Sequence, residues 1–292
     1  GGIDTTANYD YANLQLLTYA SFGEDRYTNQ TNFPLVWYQD ENLTDFGGFS
    51  AYVFNPYDSS SYTFFQSQSM GIISTDAVGT KNIGVHKVAE QITGIAFTPP
   101  SGTYDSLTVN VYGVKWIMSG SLIKIDEEIV TSAVASVSLL GIDSTYDVYM
   151  VKMKDCEPSV DNVVLQGRFT EGGVENLSAN YDMARKTLKA GASFLNLSLT
   201  NYNQFFFNRI GVGTGGGETL NGVFYIFNAN NSSEYTFITI ENVGLGITTD
   251  TFGEAGGAVL TSATQVDGVK LFFQSSANIQ AGATFTLYGL KK

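Results

Sequence analysis

Short runs of alternating apolar and polar residues, about five to nine residues long, cover most of the chain and are bounded by Gly, Asn, Asp or Ser. Thr, Val, Ile, Phe and Tyr dominate these runs, as expected for strands on a half-buried pleated surface. Tyr11–Ala20 has some helical periodicity, but we expect it to be extended or irregular because the matching segment further along contains Lys186, Lys189 and Gly191. The clearest predicted strands are Val134–Leu140, Tyr146–Lys152, Val163–Phe169, Phe205–Ile210, Val223–Asn228, Tyr235–Ile240, Val269–Phe273 and Phe285–Leu290.

A long internal repeat organises these strands. Ala7–Phe22 (ANYDYANLQLLTYASF) matches Ala179–Phe194 (ANYDMARKTLKAGASF) at nine of 16 positions, where chance gives about one. Two more blocks recur in the same order: Tyr52–Phe64 matches Tyr225–Phe237, and Thr108–Lys115 matches Thr284–Lys291. The offset drifts only from 172 to 176 residues, which predicts one domain copied in tandem.

The repeat and the strand pattern together predict an all-β fold of two tandem antiparallel β-sandwiches of the jelly-roll type. We expect eight or more short strands in each copy. Residues 1–116 are assigned to copy one, residues 117–129 to a linker, and residues 130–292 to copy two.

The two copies differ at their beginnings. Gly1–Asp4 aligns with Gly172–Glu175, and in copy two 42 residues of strand-like sequence, Val130–Glu171, precede that point. We therefore expect copy one to lack its first two or three strands. Three explanations stay open: a longer gene product, loss of the strands in evolution, or donation of strands by a neighbouring subunit.

The composition limits the classes of partner. Of the 292 residues, 43% are apolar and 15% are charged, which is below the roughly 25% charged residues usual in soluble domains. The net charge of −13 argues against nucleic acid and against an anionic membrane surface as partners. The sequence shows no run of about 18 apolar residues and no signal-peptide pattern at its start, so we expect neither membrane insertion nor a leader.

Side chains that carry chemistry are few. His86, the only histidine, is interpreted as a satisfied or surface imidazole, because no G-x-S-x-G motif accompanies it. Cys156, the only cysteine, is expected to be a small buried side chain. Because a zinc site needs several His or Cys ligands, we predict no metal, no cofactor and no catalytic residue.

Two of the carboxylates could form an acid pair of the glycosidase type, but we interpret the acidic residues of this chain as solvated loop charge. The same acidic groups lack the D-x-D-x-D-G spacing of a calcium loop.

Asp10 and Asp182, each within an Asn-Tyr-Asp triplet, are predicted to accept hydrogen bonds from the backbone of their own turn. The glycine-rich Gly211–Glu218 lacks the Lys-Ser/Thr pair of a phosphate loop and is expected to be a loop between strands. The acidic groups assigned to loops are Asp40, Glu41, Asp45, Asp126, Glu127, Glu128, Asp155, Glu157, Asp161, Asp250 and Glu254.

Three aromatic clusters, Phe64–Phe65, Phe205–Phe207 and Phe272–Phe273, could stack on sugar rings. Consecutive strand residues face opposite ways, so at least half of these rings should be core. We place the others at an interface in preference to a carbohydrate platform.

Several short motifs resemble those of tailed-bacteriophage virion proteins of the tail-fibre, minor structural or capsid-decoration type. These motifs are the ending Phe285–Lys291 (FTLYGLK) after Ile279–Gly282 (IQAG), and Tyr146–Tyr149 (YDVY) followed by Val164–Phe169 (VLQGRF) and Tyr181-Asp182. The resemblance covers residues 130–291 of copy two and 1–115 of copy one without its opening strands. It implies a structural β-domain on the virion and carries over no catalytic residue.

The expected function is therefore a non-enzymatic structural protein of a bacteriophage virion, as capsid decoration or part of a tail appendage. Its expected partners are other virion proteins and further copies of itself. Two alternatives stay open: a carbohydrate-binding host-adhesion module, with a host-surface glycan as partner, and a double jelly-roll capsid protein.

Overall fold

The computed structural model describes residues 2–18, 20–34, 47–73, 76–99, 103, 106–113, 122–247 and 250–291. In these residues the fold is all-β, and the paired strands run antiparallel. The first half of the chain contributes β1 (Tyr9–Leu17), β2 (Gly23–Gln30), β3 (Gly48–Phe54), β4 (Thr63–Ile73) and β5 (Asp76–His86).

The second half contributes the remaining strands and a short 3-10 turn, Gln274–Ser276. The strands are β6 (Leu122–Ile129), β7 (Val137–Leu140), β8 (Val148–Cys156), β9 (Leu165–Glu171), β10 (Val174–Glu175), β11 (Tyr181–Lys189), β12 (Leu195–Tyr202), β13 (Phe205–Phe206), β14 (Leu220–Phe227), β15 (Thr236–Leu245), β16 (Thr251–Leu260), β17 (Gly268–Phe273) and β18 (Thr284–Leu290).

These strands form three stacked sheets. The first sheet has the order β2-β1-β5-β4-β3, and the central sheet has the order β12-β11-β16-β15-β14-β8-β18-β6. The third sheet has the order β10-β9-β17-β7, with β13 paired to β9. The central sheet therefore has a neighbouring sheet on each face.

The larger core lies between the central and third sheets. Phe224 and Phe252 of the central sheet and Leu271 of the third sheet are fully buried in it. The smaller core lies on the opposite face of the central sheet, where Ile83 of the first sheet meets Val243 and Leu245. Burial of each large apolar side chain contributes about 1.5–3 kcal/mol, so both faces of the central sheet are stabilised by packing.

The five strands of the first sheet correspond one by one to strands of the central sheet. The order β2-β1-β5-β4-β3 recurs as β12-β11-β16-β15-β14. The registers also correspond: Tyr9 pairs with His86 in one set, and Tyr181 pairs with Leu260 in the other. The same face of each set is turned inward, so that the hydroxyl groups of the corresponding residues Tyr52 and Tyr225 lie 3.1 Å apart.

The two Asn-Tyr-Asp triplets have a different role from the one predicted. The Asp10 carboxylate accepts a hydrogen bond of 2.7 Å from the backbone N–H of Asn29, and Asp182 accepts one of 2.8 Å from Asn201. Each Asn lies in the neighbouring strand beside a register shift and has a positive φ, 54° and 56°. The prediction of a local turn is wrong, because the carboxylate satisfies an N–H of the next strand that the shift removes from the ladder.

Most strands of the second half lie where the alternating pattern predicts them, and Tyr11–Leu17 is extended within β1 as expected. Phe205–Ile210 is a partial exception, because only Phe205–Phe206 form a strand. Beyond them the Asn208 side chain accepts the N–H of Leu165 at 2.9 Å, which takes the place of strand pairing.

The assignment of a linker to residues 117–129 is wrong for Leu122–Ile129, which form β6. β6 pairs with β18, and its Ile125 packs against the larger core. Residues 117–121 lie outside the described part of the chain.

The contact between the first and central sheets leaves no room for a side chain at Gly253. A Cβ atom built there would lie 2.5 Å from Cγ2 of Ile83 and 2.6 Å from the backbone oxygen of Asn242. We expect Gly253→Ala to lower the free energy of unfolding by about 1–3 kcal/mol, because the two sheets would have to move apart. Chemical denaturation followed by tyrosine fluorescence measures this change.

Gly216→Ala is the matched control, since nothing lies within 4 Å of a Cβ atom at that loop position. Equal denaturation midpoints for the two variants would show that the first sheet does not pack on the central sheet in this way.

Candidate functional site: the open edge of the first sheet

Strand β3 forms one edge of the first sheet. Among the described residues it pairs with β4 alone, whereas its counterpart β14 pairs with β15 on one side and with β8 on the other. β3 therefore has a row of backbone N–H and C=O groups without a strand partner in the described structure. Such an edge is a template for pairing with another chain.

The repeat block Thr108–Lys115 differs from its counterpart in structure. Residues 106–113 have no regular secondary structure, and Val111 and Tyr112 are 88% and 85% exposed. In the second half the matching residues form β18, in which Phe285 and Leu287 are fully buried. The block therefore recurs in sequence but is not a strand in residues 108–113, and Val114 and Lys115 lie outside the described residues.

The pairing of β18 gives the physical reason for this difference. β18 lies between β8 and β6, and both of these strands come from Leu122–Cys156. β17 likewise lies between β7 and β9. The described residues of the first half contain no strands that correspond to β6–β9, and among these residues the stretch matching β17 and β18 has no neighbouring strand.

The face of the first sheet that points away from the central sheet has a polar centre. The Ser69 and Thr80 hydroxyl groups lie 2.6 Å apart, and the Asn82 side-chain amide donates to Ser67 at 3.0 Å. These residues are at most 9% exposed. Buried sheet faces are usually apolar, so the polar side chains of this face are suited to contact with polar groups.

Asn13 lies at the middle of this polar face and is fully buried. Neither atom of its side-chain amide has a hydrogen-bond partner among the described residues. Its counterpart is Arg185, whose guanidinium donates to the backbone oxygens of Phe206 and Asn208. At the same offset of 172 residues, Phe206 and Asn208 match Pro34 and Val36, and Val36 lies outside the described residues.

His86 is buried at the end of β5, with 2% exposure. Its Nε2 atom lies 2.8 Å from Oδ2 of Asp4 and 3.8 Å from Oε1 of Glu90, and its ring is 4.6 Å from that of Tyr9. Hydrogen bonds from the side chain and the backbone N–H of Thr6, and then from His86, lower the pKa of Asp4 to about 2. The sequence predicts a satisfied or surface imidazole. It gives no signal for Asp4, because the pairing of β1 with β5 brings Asp4 to His86, whereas Glu90 lies only four residues after His86 in the chain.

The ligand atoms of Asp4, His86 and Glu90 lie within 4.8 Å of one another, so these three groups could hold a divalent cation. The prediction of no metal site rests on the small number of His and Cys residues, whereas this cluster places two carboxylates beside one imidazole. The hydrogen bond between Asp4 and His86 accounts for the arrangement without a cation, and we assign no ligand to it.

The other predicted positions fall into three groups. Cys156 is buried as expected, and burial raises the pKa of its thiol well above the ordinary value. Asp40, Glu41 and Asp45 lie outside the described residues. Asp126–Glu128 lie in β6, Asp155 in β8 and Glu254 in β16, so their assignment to loops is wrong.

The aromatic clusters are largely core, as expected. Phe64, Phe65, Phe205, Phe207 and Phe273 are each at most 2% exposed. Phe206 and Phe272 are half-buried, and the Arg168 guanidinium lies 4.8 Å from the centre of the Phe272 ring. These clusters therefore do not form an exposed row of rings on which a sugar could stack.

Comparison with known protein families finds no match for the chain. No curated protein matches it either. In the part of the chain that the structure describes, no helix has the length and apolar character needed to cross a membrane.

Amide hydrogen exchange tests the contrast between the two matching segments. We expect residues 106–113 to exchange at nearly the rate of an unstructured peptide, and residues 284–290 to exchange at least about a thousandfold more slowly. Similar protection of both segments in the isolated protein would contradict the open edge.

Glu254 and Arg185 form a buried ion pair in the larger core, with 3.5 Å between Arg185 Nε and Glu254 Oε2. Desolvation outweighs the attraction of Arg185 and raises the pKa of Glu254 from 4.5 to about 7. The unfolded chain ionises Glu254 near pH 4.5, whereas the folded chain keeps the proton up to about pH 7. Unfolding in this window releases a proton, so this group stabilises the fold below pH 4.5 and its contribution is lost as the pH rises through 7.

We expect Glu254→Gln to remove this pH dependence. Relative to the wild type, the free energy of unfolding of the variant should rise by about 3 kcal/mol between pH 4.5 and about pH 8. Urea denaturation at a series of pH values measures it, with the exposed Glu234→Gln as control. Parallel pH profiles for wild type and Glu254→Gln would show that burial does not hold the proton on Glu254.

Proposed function

We propose that this protein is a non-enzymatic structural subunit of a bacteriophage virion, located on the particle surface as capsid decoration or in a tail appendage. Its partners are other virion proteins and further copies of itself. We further propose that its two halves derive from one jelly-roll-type β-sandwich by duplication. The matching strand order, registers and bulge of the two five-strand sets support this origin.

One observation carries the proposal. Among the described residues, the first sheet has an open edge and an adjoining strand-like segment without pairing, at the place where the second half has four further strands. An edge of this kind is an aggregation hazard in an isolated protein. In an assembly it is a contact site, because a neighbouring subunit covers it.

The positions of the phage-like motifs support the same proposal. FTLYGL lies in β18, and LQGRF lies in β9. These motifs therefore lie in strands of the central and third sheets, which is compatible with a structural module. The low fraction of charged residues, 15%, is also compatible with a surface that contacts other proteins.

Quantitative mass spectrometry of purified particles tests the proposal. Hundreds of copies per particle are expected for capsid decoration, and a few to a few tens for an appendage. Antibody labelling in electron micrographs then locates the protein on the capsid or on the tail.

The same experiment separates the alternatives. A shell built from this chain itself would instead indicate the double jelly-roll capsid protein. Specific glycan-array binding that is lost when exposed aromatics such as Tyr57 or Tyr112 are changed to Ala would favour the adhesion module. Absence of the chain from purified particles, or release of reducing sugar from host polysaccharide by the purified protein, would overturn the proposal.

A further inference from the structure

We propose that Lys87 and Asn29 form an isopeptide bond, with the carboxylate of Asp10 as the proton carrier, and that this bond ties strand β2 to the end of β5. The inference goes beyond the proposed function, because it concerns a covalent modification within the first sheet. It rests on the contacts of these three side chains and on the equivalent site of the second half.

The three side chains meet beside strand β1. Asp10 lies in β1, with Asn29 of β2 on one side and Lys87, which follows β5, on the other. The Lys87 Nζ atom lies 2.9 Å from Oδ1 of Asn29 and 2.9 Å from Oδ1 of Asp10. Because a C=O bond is about 1.2 Å long, Nζ lies at most about 4.1 Å from the carboxamide carbon of Asn29. A small rotation of the lysine side chain brings the two atoms to the roughly 3–3.5 Å of a near-attack geometry.

The Asp10 carboxylate is fixed by the protein around it. Asp10 is 2% exposed, and its carboxylate accepts the backbone N–H of Asn29 at 2.7 Å and the Thr251 hydroxyl at 3.4 Å. A carboxylate that contacts the amine and lies next to the carboxamide can take a proton from the first group and give it to the second. Since Asp10 is buried, water competes little for this proton.

The reaction exchanges one amide for another. The Lys87 ammonium gives a proton to Asp10, and the free amine attacks the carboxamide carbon of Asn29. The new bond from Nζ to this carbon forms as the bond from the carbon to Nδ2 breaks. Asp10 gives its proton to Nδ2 and takes one from Nζ, so that ammonia leaves and a secondary amide remains. The ammonia takes up the last proton as ammonium and restores the Asp10 carboxylate, so no oxidant, reductant or further reactant is consumed.

The surroundings allow the ammonia to leave. Lys87, Asp10 and Asn29 line a cavity of about 440 Å³ that opens to solvent and is closed on the other side by Gly191 and Ala192 of the second half. Asn29 itself is exposed. Ammonia released there diffuses away, and at its low concentration in solution the new amide is not reversed.

The second half has the same carboxylate and asparagine without the lysine. Asp182 accepts the backbone N–H of Asn201 at 2.8 Å, and the position equivalent to Lys87 is occupied by Thr261. The aspartate and asparagine therefore satisfy the register shift in both halves. The lysine adds a contact in the first half that the shift does not require.

The bond would hold the outer strand of the first sheet. Among the described residues β2 pairs with β1 alone, so only one row of hydrogen bonds keeps it in the sheet. A covalent link from β2 to the residue after β5 spans β1 and fixes three neighbouring strands together.

Intact-protein mass spectrometry of the full chain tests the proposal. After several days at about pH 8 we expect a mass about 17 Da below that of the sequence, because one ammonia is lost. Tandem mass spectrometry of a proteolytic digest should then show one branched peptide that joins Lys87 to Asn29. A succinimide formed by an asparagine also loses ammonia, but it gives no branched peptide and does not need Lys87.

Two substitutions separate the roles of the groups. Lys87→Arg keeps a positive charge beside Asp10 but removes the amine, so the full mass of the variant sequence should be found. Asp10→Asn keeps an acceptor for the N–H of Asn29 but removes the proton carrier, and formation of the bond should slow at least about a hundredfold. Asp182→Asn is the matched control, because it makes the same change at the equivalent position of the second half and should leave the bond unchanged.

The mass of the unaltered chain decides the proposal even where the Asp10 variant fails to fold. A mass equal to that of the sequence, together with cleavage by trypsin after a free Lys87, would show a simple ion pair and overturn the proposal. A loss of ammonia that persists in Lys87→Arg would also overturn it, since a succinimide would then be its source. Neither result bears on the virion role, because the mass of the purified chain does not depend on its place in a particle.

Discussion

Every interior strand of a sheet has two rows of backbone hydrogen-bonding groups, and each row needs a neighbouring strand. This requirement explains the asymmetry of the molecule. In the second half, the segment containing β6–β9 supplies neighbours for β14, β17 and β18, and the sandwich closes around a large apolar core. In the described part of the first half those neighbours are not present. The same sequence pattern therefore gives a five-stranded sheet and an exposed, unpaired segment.

The two halves also share a polar centre, which they satisfy by different chemistry. Where the first sheet has the neutral Asn13 and Thr80, the central sheet has the ionisable Arg185 and Glu254 at the corresponding register positions. The Arg185 guanidinium donates to the backbone oxygens of Phe206 and Asn208 and so ties the strand pair β11–β16 to that segment.

Local sequence patterns predicted much of this fold. Alternation located the long strands of the second half within a few residues, because each has one apolar face, and the repeat predicted which segments correspond. Alternation does not say whether a neighbour is available, so Thr108–Lys115 was matched to a strand that residues 108–113 do not form. The strand pattern also did not identify β6 (Leu122–Ile129), which was assigned to a linker. Its partner strand, β18, lies some 160 residues away at the other end of the second half. The contact of Asp4 with His86 was equally out of reach, since it depends on the pairing of β1 with β5.

The contact between Tyr52 and Tyr225 has a consequence for how the surface between the halves can change. Two sheets that face each other with the same side, and meet through the same tyrosine, have the self-complementary geometry of a two-fold dimer. In a dimer of two identical chains every substitution at such a surface occurs twice, so a charge introduced near the two-fold axis lies next to an identical charge of the other chain. In a single chain each side varies alone, and Lys81 can pair with Glu241 without a reciprocal pair on the other side. Under the proposed duplication, covalent linkage has thereby made this surface free to become asymmetric, because each side of it can change separately.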